Sequence, residues 1–200
     1  GILCFAFIIP IGVFFTMVKG WMLVPLLVLA TLLIVLYTPV ILKMGYPEWS
    51  PGLGLGILPV LGAYFVHVGE YTLSAFIASM PSYFLVHNLL LLNEFPDVDE
   101  DVTIGRRTLP IVLGRKGAAV VFSLFLILVY FWIAGAVILG TMPAWTLLAL
   151  LTLPIAVQVI RGAFRYDDMD VFLPVMMKNV LLILSIQALL AAGYILGGIF

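Results

Sequence analysis

The stretch AAVVFSLFLILVYFWIAGAVIL, residues 118–139, contains no charged side chain. A helix rises about 1.5 Å per residue, so a stretch of this length can cross the roughly 30 Å hydrocarbon core of a bilayer. Other long apolar stretches recur along the chain, which is 64% hydrophobic and 10% charged, whereas a soluble domain carries roughly 25% charged residues. The sequence therefore predicts an all-α, polytopic transmembrane helical bundle in contact with lipid.

Proline, glycine and charged residues divide this hydrophobic sequence into about seven candidate spans. The third span is crowded with glycines, which we expect to let neighbouring helices approach closely. We interpret residues 1–200 as one transmembrane domain. The spans are residues 2–18, 21–41, 53–68, 73–92, 118–139, 144–161 and 174–199.

The start of the chain and its cysteine content give two further expectations. The sequence begins with Gly1 directly inside an apolar stretch, without the basic leader of a signal peptide. We therefore expect the domain to be N-terminally incomplete. The single cysteine, Cys4, excludes a disulfide framework and a cysteine-rich zinc site within this sequence.

Charged residues are distributed unequally between the two predicted faces of the bundle. If the spans alternate in direction, one face collects most basic residues, and the positive-inside rule makes that face cytoplasmic in the plasma or inner membrane. Acidic residues gather there too, which indicates either a site for an anionic ligand or metal, or a solvated loop. The basic residues of this face are Lys43, Arg106, Arg107, Arg115, Lys116, Arg161, Arg165 and Lys178, with Lys19 opposite.

Residues 93–117, NEFPDVDEDVTIGRRTLPIVLGRKG, carry the densest charge of the chain. Asn93, Asp97 and Asp101 are spaced by four, so on a helix they share one face, with Cβ atoms about 5–6 Å apart. Two carboxylates at this spacing suit Mg²⁺ held jointly with substrate phosphates. Asp99 would point away from them.

Basic residues follow the acidic ones in the same segment. Arginine binds phosphate through paired charge-assisted hydrogen bonds, so Arg106 and Arg107 are candidate phosphate ligands. The alternative is that they only mark the cytoplasmic side, which is the interpretation we prefer for Arg115 and Lys116.

The block Asn-Glu-Phe-Pro-Asp-x-x-x-Asp, followed by Gly-Arg-Arg-Thr-Leu-Pro-Ile-x-Leu-Gly, resembles the second aspartate-rich motif of the UbiA prenyltransferase superfamily. The segment YTPVILK, residues 37–43, is similar to the Tyr-x-x-x-x-Leu-Lys segment of that family. The resemblance covers essentially the whole chain, as helices three to nine of a nine-helix fold. The family's first motif, Asn-Asp-x-x-Asp, does not occur upstream of residue 37.

The resemblance implies an integral membrane enzyme that transfers a polyprenyl group from its diphosphate to an aromatic acceptor. The menaquinone branch, which prenylates dihydroxynaphthoate, is the most similar. Asp97 and Asp101 are then the catalytic residues and the ligands of Mg²⁺. The implied substrate-binding residues are Asn93, Tyr37, Lys43, Arg106 and Arg107.

Other interpretations stay open on the sequence alone. A small-molecule or ion transporter is one, although the spans hold almost no ionisable residue apart from His87. An inactive fragment that lacks the first aspartate motif is another. We expect His87 and Asn88 to form interhelical hydrogen bonds and Asp167, Asp168 and Asp170 to lie in a solvated loop. No nucleic-acid partner is expected, and the sequence leaves the oligomeric state and the acceptor open.

Overall fold

A computed structural model describes the backbone of residues 2–199 and the side chains of residues 7–199. Within residues 2–199 the regular structure is entirely helical. Seven long helices form in the predicted order, joined by short connections. The helices are α1 (Ile2–Lys19), α2 (Trp21–Tyr37), α3 (Trp49–Val68), α4 (Leu73–Thr103), α5 (Leu109–Val112), α6 (Gly114–Ile138), α7 (Ala144–Ala163) and α8 (Met169–Ile199), with a 3₁₀ turn at Ile41–Lys43.

Five of these helices, α3, α4, α6, α7 and α8, are long and apolar enough to cross a membrane. Helix α2 is apolar but shorter, and so is Phe7–Lys19, the part of α1 whose side chains are described. The predicted all-α, polytopic bundle is therefore confirmed, and the chain is a multi-pass membrane protein.

The main core lies between α4, α6, α7 and α8. Its largest side chains are fully buried and come from different helices, so the apolar faces of all four helices meet in one contiguous cluster. A smaller cluster joins α2 to the 3₁₀ turn and α3 through Leu33, Ile41 and Leu58. The main core includes Leu92, Phe95, Phe122, Leu126, Ile133, Val159, Phe172, Leu182 and Ile186.

Helix α3 contains a π-helical segment, Gly52–Ile57, where it packs against α4. A Cβ atom on Gly56 would lie 2.7 Å from the backbone N and Cα of Tyr83, and one on Gly52 would lie 2.9 Å from the Tyr83 ring. Both distances are too short for a side chain, so glycine lets the two backbones meet. The expected close approach at the glycine-rich span is confirmed.

Several predicted helix boundaries were wrong; α8, for example, begins at Met169 rather than at residue 174. Helix α4 continues to Thr103, eleven residues past the predicted end at residue 92, whereas α2 ends at Tyr37, just before Pro39, rather than at residue 41. Hydropathy indicates only where the lipid-facing part of a helix ends. Helix α4 continues beyond that point because Phe95 is buried against Phe172 of α8, with ring centroids 5.4 Å apart. The acidic motif is therefore part of a continuous helix and not of a connecting loop.

Candidate active site

The helical geometry of α4 brings the acidic motif to the edge of a cavity of about 110 Å³. Asn93, Asp97 and Asp101 lie one turn apart on one face of this helix and all three line the cavity. The opposite walls come from the end of α2 and from the segment that follows α4. The complete lining is Tyr37, Leu42, Leu90, Asn93, Glu94, Asp97, Asp101, Arg106 and Thr108.

Asp101 and Arg106 form an ion pair at the cavity wall. The guanidinium of Arg106 donates a hydrogen bond of 2.8 Å to Asp101 Oδ1, and the Arg106 amide donates to the Asp101 carbonyl at 3.0 Å. Asp101 is buried, whereas Asp97 is exposed. Asp99 lies on the outside as predicted, with a side chain that is 90% exposed and 3.6 Å from Arg115. The arginine is therefore held beside the acidic face before any ligand binds.

The segment that carries Arg106 is fixed at both ends by residues from the α2–α3 connection. Gly105 takes a left-handed backbone conformation, φ 74°, which ends α4 and reverses the chain. The Arg107 amide then donates to the Leu42 carbonyl at 2.8 Å, and the Leu109 amide donates to Glu48 Oε1 at 2.7 Å. These two hydrogen bonds hold the arginine segment over the end of α4.

The structure brings most, but not all, of the residues proposed from the sequence to this cavity. Lys43 and Arg107 have exposed side chains that do not line the cavity, so the geometry does not support their predicted contact with substrate. Of the two arginines, the one in the cavity is Arg106. The proposed residues that line the cavity are Tyr37, Asn93, Asp97, Asp101 and Arg106.

Three polar residues of this region were not singled out from the sequence. Glu94 and Thr108 line the cavity, and Glu48 lies behind it, completely buried. Glu48 Oε2 and Glu94 Oε2 are both buried. Glu94 and Thr108 lie within the two sequence blocks that carry the family resemblance, so that resemblance could have identified them as site residues. Glu48 had no comparable signal.

The donor atoms of the cavity fit a magnesium ion only in part. Among the described residues, no group of three or more His, Cys, Asp or Glu side chains could hold a metal ion. The cavity offers the carboxyl groups of Asp97 and Asp101 on one face of α4 and that of the buried Glu94, and one oxygen of Asp101 is already paired with Arg106. Mg²⁺ is commonly bound by one or two carboxylates together with substrate phosphates. Two carboxylates on one helical face therefore fit Mg²⁺ held jointly with a diphosphate.

A second polar cluster lies deeper in the bundle and joins α4 to its neighbours. The hydroxyl of Tyr46 donates to His87 Nε2 at 2.9 Å, in the tautomer that lets His87 Nδ1 donate to Asn88 Oδ1 at 3.3 Å. Asn88 Nδ2 donates to the carbonyl of Phe122 on α6 at 2.8 Å. Burial raises the pKa of Tyr46, so its hydroxyl keeps its proton as a donor. The predicted interhelical hydrogen bond is confirmed for Asn88, whereas His87 bonds to Tyr46 in the α2–α3 connection.

The apolar helical bundle and the acidic, arginine-lined cavity at the end of α4 are typical of membrane proteins that bind a charged ligand beside the lipid. Comparison with known proteins agrees with this class and gives the family. The chain belongs to the UbiA prenyltransferase family, whose sequence model matches residues 1–196. The family resemblance predicted from the two motifs is confirmed.

One curated relative extends the comparison. The chain is 29% identical over 174 residues to 1,4-dihydroxy-2-naphthoate octaprenyltransferase of Bacillus subtilis (strain 168). The alignment covers 86% of this chain and 56% of that protein, so the chain spans little more than half the length of this relative. No solved structure matches the chain.

Proposed function

We propose that the protein transfers a polyprenyl group from its diphosphate to a hydroxylated aromatic acceptor, with Mg²⁺ as cofactor. The observation that carries this proposal is the cavity at the end of α4, where Asp97, Asp101, Arg106 and Tyr37 come together. The family supports the reaction type. The name of the Bacillus relative supports 1,4-dihydroxy-2-naphthoate as the acceptor, and therefore a step of menaquinone biosynthesis.

The charged residues would act on the diphosphate. Arg106 can donate two parallel hydrogen bonds to phosphate oxygens, and its ion pair with Asp101 holds it in place beforehand. A preorganised cation stabilises the negative charge that grows on the leaving diphosphate without a cost of reorganisation. When bound, Mg²⁺ would supply further positive charge at these oxygens. Asp97 and Asp101 would be its ligands from this chain, with Asn93 in support.

The apolar side of the cavity suits the prenyl group. Leu42 and Leu90 line the cavity next to the acidic face. The prenyl chain would therefore lie against apolar side chains directly beside the charged region. Tyr37 lines the same space from the end of α2. The face of its ring can stabilise positive charge on that carbon, and its hydroxyl can alternatively bond to phosphate.

We also propose that the cavity opens on the cytoplasmic side of the membrane. The support is the unequal distribution of basic residues, because eight of the nine lie on the face that carries the end of α4 and only Lys19 lies opposite. This orientation would give the site access to Mg²⁺ and to water-soluble substrates in the cytoplasm.

The test is prenyl transfer by the purified protein in lipid with Mg²⁺, a polyprenyl diphosphate and 1,4-dihydroxy-2-naphthoate. We expect product with the wild-type protein, loss of nearly all turnover with Asp97→Ala, and little change with Asp99→Ala, which removes a carboxylate from the outer face of the same helix. Equal turnover in the two variants would remove the acidic face from the mechanism. Binding of both substrates without turnover in the wild-type protein would favour the inactive-fragment interpretation.

A further inference from the structure

Thr108 has a buried hydroxyl that no other group in the described residues satisfies. The residue is 1% exposed, and its Oγ1 has no hydrogen-bond partner. It lines the same cavity as Asp97, Asp101 and Arg106. An unsatisfied polar group in a protein interior costs about 1–3 kcal/mol, so a residue of this kind calls for an explanation.

The usual structural role of a threonine at this position does not apply. Thr108 precedes α5, where a threonine normally accepts a hydrogen bond from one of the first free amides of the helix. Here the Leu109 amide is taken by Glu48, Pro110 has no amide hydrogen, and the Ile111 amide donates to the carbonyl of Thr108. No amide in this turn is left for the hydroxyl, and no capping bond forms.

We propose that the Thr108 hydroxyl binds a phosphoryl oxygen of the prenyl donor, an inference that rests on the function proposed above. A hydroxyl can donate to an anionic oxygen, and such charge-assisted hydrogen bonds are stronger than neutral ones. The two hydrogen bonds that hold residues 106–109 place Thr108 and Arg106 on the same wall. The pair would then bind the diphosphate from the segment that follows α4, next to the acidic face.

The test compares Thr108→Val with Thr108→Ser and with a control threonine, Thr152. Valine keeps the shape of threonine and removes the hydroxyl, whereas serine keeps the hydroxyl. Thr152 is also buried, but its hydroxyl donates to the Ala149 carbonyl at 2.7 Å and lies 2.8 Å from the Tyr130 hydroxyl. Each purified protein is titrated calorimetrically with inorganic pyrophosphate in the presence of Mg²⁺, and its thermal unfolding is recorded.

We expect Thr108→Val to weaken pyrophosphate binding on the order of 10-fold, the equivalent of one charge-assisted hydrogen bond. Thr108→Ser should bind nearly as the wild type does. Thr108→Val should not lower the unfolding midpoint, because it removes an unsatisfied hydroxyl, whereas Thr152→Val should lower the midpoint and leave pyrophosphate binding unchanged.

Two results would overturn the inference alone. The first is wild-type pyrophosphate affinity in Thr108→Val, which would mean that the hydroxyl does not contact phosphate. The second is a loss of stability in Thr108→Val as large as that in Thr152→Val, which would assign the hydroxyl a structural role. Failure of the wild-type protein itself to bind pyrophosphate would overturn the proposed function, and this inference with it.

Discussion

Asp101 and Asp99 stand two positions apart on α4 but in opposite environments. Asp101 is buried in the cavity wall and paired with Arg106, whereas the side chain of Asp99 is 90% exposed. We expect Asp101→Asn to lower kcat for prenyl transfer by on the order of 100-fold, because it weakens both the magnesium site and the placement of Arg106. The same substitution at Asp99 should change kcat by less than about twofold. Steady-state kinetics at saturating Mg²⁺ measure both, and equal effects would contradict the geometry.

Glu48 offers a second prediction for a single residue. Its Oε1 accepts the hydrogen bond from the buried Leu109 amide that fixes the arginine segment. Glu48→Gln keeps an acceptor oxygen there, whereas Glu48→Ala leaves the amide unpaired at a cost of about 1–3 kcal/mol. We expect the alanine variant to unfold several degrees below the glutamine variant, since 1 kcal/mol shifts the Tm of a chain of this size by roughly 2–4 °C. Both variants remove the carboxyl group, so identical unfolding midpoints would show that this hydrogen bond is not needed.

At the scale of the helices, the packing of α3 against α4 depends on where glycine stands. A Cβ on Gly56 would meet the Tyr83 backbone at 2.7 Å, whereas one on Gly54 would meet only Leu33 Cδ1 at 3.6 Å, an ordinary contact. Gly56→Ala should therefore destabilise the bundle by about 1–3 kcal/mol, and Gly54→Ala should be neutral or slightly stabilising. Thermal unfolding in detergent distinguishes the two. A larger effect at Gly54 would contradict the observed helix packing.

The sequence predicted the helices well where lipid determines them and less well where protein contacts do. Long apolar stretches must be helical in a bilayer, which is why the seven long helices of residues 2–199 appear in the predicted order. The extension of α4 to Thr103 depends on the burial of Phe95 against α8, a contact that hydropathy cannot predict. Helical spacing was enough to place Asp97 and Asp101 on one face. It gave no sign that Glu48 bonds to Leu109, 61 residues away in the chain.

At the scale of the whole molecule, the proposed orientation places the end of α4 in the cytoplasm. The only cysteine, Cys4, can be replaced by serine, after which single cysteines are introduced at two exposed positions, Glu70→Cys and Asp167→Cys. In intact cells, a membrane-impermeant maleimide should label Glu70→Cys and leave Asp167→Cys unlabelled until the membrane is permeabilised. The reverse pattern would place the acidic cavity on the outer side.

The proposed function requires that the cavity at the end of α4 holds the diphosphate of a prenyl donor. Its most direct measurement is an experimental structure of the protein with Mg²⁺ and a non-reactive thiolodiphosphate analogue of the donor. We predict that the diphosphate contacts Arg106 directly and Asp97 and Asp101 through Mg²⁺, with the prenyl chain leaving past Leu90. A diphosphate bound elsewhere in the bundle, with the cavity empty, would contradict it.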